Sequence, residues 1–407
     1  MKWFWFAVAN VRRNRRRSAT TILIAAVGTA ALLVGGGFVQ YNYALLRRIA
    51  AHDSGHVVLA HRDHFDGDED LPMQHGVDDA SLVKARLEAD ARVIVALPRL
   101  QFSGLISNGD KSAVFIGTGI DAEGESRVRG SSLWKLTAGS TLSARPSEDD
   151  LPEIMLGKEL ARQLRVVPGS TLTLLATTTE GSLNAQDVRV KGIYSVGVPE
   201  MDRRAVLVHL PTAQRLLLTD RVSTVSAYLR RIDDTDVVQA TMAGLFPGRA
   251  LQTWRDQAFY YRAVRALYNR IFGLLGAIIV VLVLFAISNT LGMAVVERTR
   301  EIGTFRALGA VPAQITRNFV LEGLVVGLAG AAIGTAAATL ISFAVDRAGA
   351  MMPPPPGYSV GYPLLIDRSP ALYAAAALVI AAVSAIAAWA VSRKAAARSI
   401  VEALAHV

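Results

Sequence analysis

Residues 271–310 read IFGLLGAIIVVLVLFAISNTLGMAVVERTREIGTFRALGA. From Ile271 to Val296 no residue is charged, and the run exceeds the roughly 20 apolar residues that a helix needs to cross a bilayer. At Glu297 the character changes. Glu297, Arg298, Arg300, Glu301 and Arg306 alternate with Ile302, Gly303 and Leu308 at helical spacing, and Gly309 fits a helix end. A short charged helix directly after a membrane span has two readings. It is a solvated connector whose arginines snorkel to the interface, or a docking element whose apolar side enters a groove on a partner while its charges set the register.

Working outward, three more runs qualify as spans, from about Ser18, Phe319 and Ala371. A composition of 52% hydrophobic and 19% charged residues agrees with a membrane protein. The first run is too long for a signal-peptide core and closes on no small-x-small site, so it is expected to stay as a span. The net charge of +9 is concentrated beside these runs. Residues 1–17 carry Lys2 and Arg12, Arg13, Arg15, Arg16 and Arg17 with no acid, and the 297–317 loop and the tail from 392 are also basic. That distribution marks the cytoplasmic side and argues against nucleic acid as a partner.

The expected organisation is therefore a membrane α-helical protein with four transmembrane helices and an α+β periplasmic domain inserted between helices 1 and 2. A cytoplasmic, interfacial segment spans 1–17, with Trp3-Phe4-Trp5-Phe6 lying in the leaflet. The spans fall at 18–43, 268–296, 318–346 and 370–391. The external domain with its stalk helices occupies 44–267, the cytoplasmic helix 297–317, an external loop with Pro353–Pro356 residues 347–369, and a cytoplasmic tail 392–407.

Within that domain, Ala113–Ile116 and Thr171–Leu174 read as strands, Asp79–Ala89 and Gly157–Leu164 as helices, and Ser143–Asp150 as an internal seam. Trp254 opens a polar helical stretch to Arg270 that would carry the second span outward as a stalk, and Tyr41–Ala51 would do the same after the first. Gly323/Gly327 and Gly330/Gly334 lie at the four-residue spacing that lets helices approach closely. Glu322, just inside the third span, must stay near the interface or be paired. The histidines 52, 56, 61, 64 and 75 stand among Asp63, Asp66, Asp68, Glu69 and Asp70, a composition able to hold a divalent ion but without a recognised ligand spacing. The P-loop, H-E-x-x-H and G-x-S-x-G motifs are all missing, and so is cysteine.

The stretch from Asn289-Thr290 through Glu297–Gly303 to Arg306–Ala310, continuing in Phe319, Glu322-Gly323 and the Gly327/Gly330/Gly334 series, resembles the ABC transporter permeases of the MacB/FtsX superfamily. The external part is most similar to the lipoprotein-releasing branch. Gly117 with Ile120-Asp121, Gly157–Ala161 followed by Leu164 and Pro168-Gly169, Gly192–Tyr194, Asp202, Ala213–Leu216 and Trp254 match its pattern, whereas Ser170 stands where an acid is usual. The resemblance implies that Glu297, Arg298, Arg300, Glu301, Ile302, Gly303, Arg306, Leu308 and Gly309 form a coupling helix docking on a separate ATPase subunit. It further implies two such subunits using ATP and Mg, no cofactor or metal on this chain, and a second permease chain, identical or related. The expected location is a bacterial inner membrane with both termini cytoplasmic. The expected work is mechanical and non-enzymatic: ATPase motion passed to the periplasmic domain to release lipoproteins or lipidic cargo to a periplasmic carrier. Two alternatives remain open: efflux of a small molecule or peptide with an adaptor, and a membrane-anchored regulator of a periplasmic enzyme.

Overall fold

The computed structural model describes residues 2–13, 15–65, 71–129, 135–145, 150–354, 359 and 361–396. In chain order the elements are α1 (Lys2–Arg13), α2 (Arg15–Ser54), β1 (Val57–His61), α3 (Ala80–Glu88), β2 (Val93–Ser107), β3 (Ser112–Ile120), α4 (Ala122–Arg129), β4 (Lys135–Gly139) and β5 (Glu153–Gly157). They continue as α5 (Lys158–Leu164), β6 (Thr171–Thr177), β7 (Leu183–Ser195), α6 (Pro199–Asp202), β8 (Ala205–His209), α7 (Leu210–Leu217), β9 (Thr224–Leu229), α8 (Thr235–Leu245), β10 (Arg249–Thr253) and α9 (Trp254–Gln257). The last are α10 (Phe259–Glu297), α11 (Thr299–Ala307), α12 (Pro312–Ala348), the short β11 (Met351–Met352) and β12 (Tyr362–Pro363), and α13 (Pro370–Ala396). They divide into one unit of Met1–Leu45, Ala263–Met352 and Pro363–Val407, and another of Leu46–Arg262 and Pro353–Tyr362.

The first unit is helical. Helices α2, α10, α12 and α13 are each long and apolar enough to cross a membrane. A lipid-embedded backbone must satisfy its hydrogen bonds internally, which is why these apolar runs are unbroken helices. Ala25, Val283, Ile287, Leu291 and Ile380 bury against one another where the helices meet. The four glycines of α12 divide their work between two neighbours. A Cβ on Gly323 would stand 2.7 Å from the Ala388 Cβ of α13, and Gly327 faces Ser384 of the same helix. A Cβ on Gly330 would reach the Ala25 Cβ of α2 at 2.5 Å, and Gly334 faces Ala26 and Thr29. One small-residue pair therefore seats the fourth span and the other seats the first.

The second unit is sheet-rich. Its ten strands run β10-β1-β9-β2-β3-β8-β5-β7-β4, and β6 pairs with both β2 and β7. Strands β2, β3, β8, β5, β7 and β6 thereby close into a ring, and β10 and β4 remain as the edge strands of the sheet. Inside it lie Leu100, Ile106, Phe115, Leu156, Leu174 and Val188. The fifteen-residue β2 continues beyond the ring to pair with β9, and there α3 and α8 cover a second core of Leu59, Leu87, Val225, Val238 and Met242. The division between cores thus runs along β2. Ser143 is hydrogen-bonded to Glu153, and 146–149 of the expected seam lie outside the described residues. Gly157 ends β5 in an extended conformation and is the N-cap of α5, and the Asp202 backbone leaves no room for a Cβ there. The stalk expected from Trp254 starts as the short α9, with Thr253 and Asp256 forming a capping box, and the long helix restarts at Phe259.

Candidate functional site

Helix α10 ends at Glu297 and α11 begins at Thr299 after one non-helical residue, Arg298, at φ −100° and ψ 13°. Gly309, at φ +93°, accepts the left-handed turn that stops α11. Pro312 then starts α12 from its first turn, where a missing N–H costs nothing. The expected 297–317 helix is thus three pieces: Glu297 ends α10, α11 supplies nine residues, and residues 312–317 already belong to α12.

Thr299, Ile302 and Gly303 face inward, and Ile302 packs with Val295, Ile315 and Phe319. Arg300, Glu301, Thr304, Leu308 and Gly309 are exposed, and Arg306 is half-buried. Phe305 and Val311 are about half exposed and Leu308 is 80% exposed, so the turn after α11 presents an apolar tip. A cleft of ≈ 470 Å³ opens beside it, bounded by Asn10 and Arg13 of α1, Ile302 and Phe305 of α11, and Ile315 and Phe319 of α12.

The charges expected to set a partner's register serve in part within the chain. Arg17 grips Glu297 with two hydrogen bonds, Nη1 to Oε2 at 2.8 Å and Nη2 to Oε1 at 2.5 Å. Arg13 Nη2 donates to Glu301 Oε1 at 2.9 Å. Both pairs are exposed, so solvent screens them and they orient the segment more than they stabilise it. Arg298 is buried and donates from Nη1 to Glu322 Oε2 at 3.1 Å, while its Nη2 has no hydrogen-bond partner. The carboxylate within the third span is therefore paired. Arg13 and Arg17, which the sequence marks only as topology charges, prove to be anchors of this segment.

Away from this segment, the histidine-rich stretch forms no group of three potential metal ligands among the described residues. His61 and His75 stack ring on ring at 5.5 Å, and Asp66, Asp68, Glu69 and Asp70 lie outside the described residues.

Residues 18–245 match the MacB-like periplasmic core domain and residues 273–400 the FtsX-like permease C-terminal region. The lipoprotein-releasing system transmembrane protein LolC of Xylella fastidiosa is 27% identical over 265 residues, covering 63% of this chain and 63% of LolC. The macrolide export ATP-binding/permease protein MacB of a Shewanella species is 43% identical over 63 residues, 16% of this chain and 10% of that protein. The periplasmic region of MacB from Actinobacillus actinomycetemcomitans aligns with half of this chain and 91% of its own, at 12% identity and a TM-score of 0.35. The chain thus spans less than two thirds of the length of the LolC proteins it matches.

Proposed function

The chain belongs to the ABC transporter permeases that join a MacB-like periplasmic core domain to an FtsX-like C-terminal region, and from that premise we propose that it passes the motion of a separate ATPase to its periplasmic domain. The observation that carries the proposal is the end of α11 and the turn after it, where Phe305, Leu308 and Val311 expose apolar surface. An apolar tip on a short, anchored helix suits insertion into a groove on a partner. The ion pairs from Arg13, Arg17 and Glu322 hold α11 against the helices that would have to move, so a push on the tip reaches the spans. Basic segments beside the spans favour a cytoplasmic location for the tip and for both termini. Two ATPase subunits, consuming ATP and Mg, would engage this chain and a second permease, identical or related, in a bacterial inner membrane.

The cargo class is a lipid-anchored protein, as the name of the LolC relatives suggests. Reversal of charge by Arg300→Glu with Glu301→Lys tests the reading in proteoliposomes that contain the permease and its co-purified ATPase. The expected result is continued ATP hydrolysis with loss of release of a fluorescent triacylated lipoprotein. Undiminished release would remove the docking role. ATP turnover stimulated by an amphipathic peptide or macrolide but not by lipoprotein would instead favour efflux, in keeping with the MacB-like domain. Absence of any associated ATPase would favour a regulator.

A further inference from the structure

Helix α2 ends at Ser54, and one left-handed glycine, Gly55 at φ +93°, separates it from His56 and strand β1, which lies between β10 and β9. A glycine between a long helix and a sheet is by itself a free joint, because its backbone has the widest choice of conformations. Here the joint is closed from the side. Three successive carbonyls of the last turn accept hydrogen bonds from side chains of β2 and β9. Tyr228 Oη donates to His52 O at 3.0 Å, Arg99 Nη1 to Asp53 O at 2.7 Å, and Ser226 Oγ to Ser54 O at 2.7 Å. The carbonyl before them, on Ala51, is already capped by the Gly55 N–H at 3.1 Å. Arg99 is buried and also donates from Nε to Glu125 Oε1 at 2.8 Å and from Nη2 to Tyr228 Oη at 2.5 Å. Glu125 is 1% exposed.

A helix end needs only a glycine cap and water to satisfy its carbonyls. Sinking a charged pair into the protein to hold that end is costly, and an arginine at the negative end of the helix dipole is the most favourable cation to place there. The second link to the membrane part meets the first at this place. Strand β10 pairs with β1, Trp254 N donates to His56 O at 3.1 Å, and Trp254 packs with Ala51 and Tyr261.

We infer that Arg99, Tyr228 and Ser226, with Glu125 behind Arg99, are positioning residues that lock the glycine joint so that the sheet domain moves with the end of α2. This rests on the proposed transmission of ATPase motion. The chain has no cysteine, so spin labels can be placed singly. Labels at Arg48→Cys and Ala185→Cys, both on exposed residues of the sheet-bearing unit, report the joint by double electron resonance in the nanodisc-embedded full chain. The unaltered joint should show one narrow distance. Tyr228→Phe with Ser226→Ala, which keeps the buried pair, should broaden it at least about twofold, as should Arg99→Met with Glu125→Met. Ser226→Thr, which retains the hydroxyl donor, should keep the narrow peak in the otherwise unaltered chain.

The functional readout is the ATP-dependent displacement of the Ala185 label when the partner ATPase is present. It should fall by at least half in the Tyr228→Phe/Ser226→Ala chain while ATP turnover and amide protection of residues 154–156 and 206–208 stay unchanged. Equal peak widths, or an equal ATP-dependent displacement, would overturn the joint. No ATP response in the unaltered chain would overturn the transmission reading instead, and with it the purpose of the lock, while the widths still report whether the three donors stiffen it.

Discussion

Leu308 offers the sharpest separation of docking from folding. Its side chain is 80% exposed in the free chain, so nearly all of its transfer free energy is still to be gained on docking. Truncation to alanine removes three carbons. At about 0.8 kcal/mol per buried CH₂, and with four-fifths of the side chain left to bury, the loss is about 2 kcal/mol, or roughly 30-fold in Kd. The folded chain itself should be indifferent, within about 0.5 kcal/mol, because the residue makes little contact there. Ile302, six residues earlier and 6% exposed, supplies the opposite case. Ile302→Ala should cost about 2–5 kcal/mol of stability through the cavity it leaves. The assay is interferometry of the purified ATPase on nanodisc-embedded permease, paired with chemical unfolding of each variant in detergent. Binding by the Leu308→Ala chain within about twofold of the unaltered chain would refute the argument, since a tip that buries nothing on docking is not the docking surface.

Arg298→Met alone should destabilise the chain by about 3–5 kcal/mol, because it strands Glu322 without its counter-charge, whereas Arg298→Met with Glu322→Met should recover most of that loss in the same unfolding measurement. Gly330→Leu should part the first and third spans, since even a Cβ there meets Ala25 at 2.5 Å, while Gly273→Ala, with nothing within 4 Å, should leave detergent-extracted yield and melting unchanged. His56 accepts the Leu229 N–H on Nδ1, and burial, helped by the nearby His52, lowers its pKa from 6.5 to about 4. A histidine depressed on folding contributes stability that is full above its unfolded pKa and fades as pH falls, so the sheet domain should lose about 2 kcal/mol between pH 7 and pH 5. His56→Asn, which keeps an acceptor, should flatten that acid limb in fluorescence-monitored unfolding.

The spans were legible because lipid imposes a rule on sequence that water does not. A stretch such as Ile271–Val296 must be apolar throughout to lie in hydrocarbon, and no partner elsewhere in the chain can relax that demand. The existence of α11 was legible for a related reason, since its inward Thr299, Ile302 and Gly303 and outward Arg300, Glu301 and Thr304 repeat with the helical period. What the period cannot carry is the partner of each charge. Arg13 and Glu301 are 288 positions apart and Arg17 and Glu297 are 280 apart, so the arginines read as topology signals and the glutamates as free for docking. In the fold these charges meet one another, Arg13 with Glu301 and Arg17 with Glu297, which no local pattern announces.

The same limit hid the closed ring of strands. Alternation in Thr171–Thr177 marks a strand with one buried face, but whether it pairs with β2, with β7 or with both depends on how far those strands overrun their neighbours. Arg99 and Glu125 escaped notice for the converse reason. A charged residue in an apolar strand such as Val93–Ser107 reads as a solvent-facing position, and only the carbonyls arriving from α2, some 46 residues earlier in the chain, give it a reason to be buried. Long-range pairing is therefore where mechanism was hidden. The contacts that would carry force from α11 to the spans and from α2 to the sheet are made between residues whose local sequence is blind to them, which is why their substitution, and not that of the spans, discriminates among the possible functions.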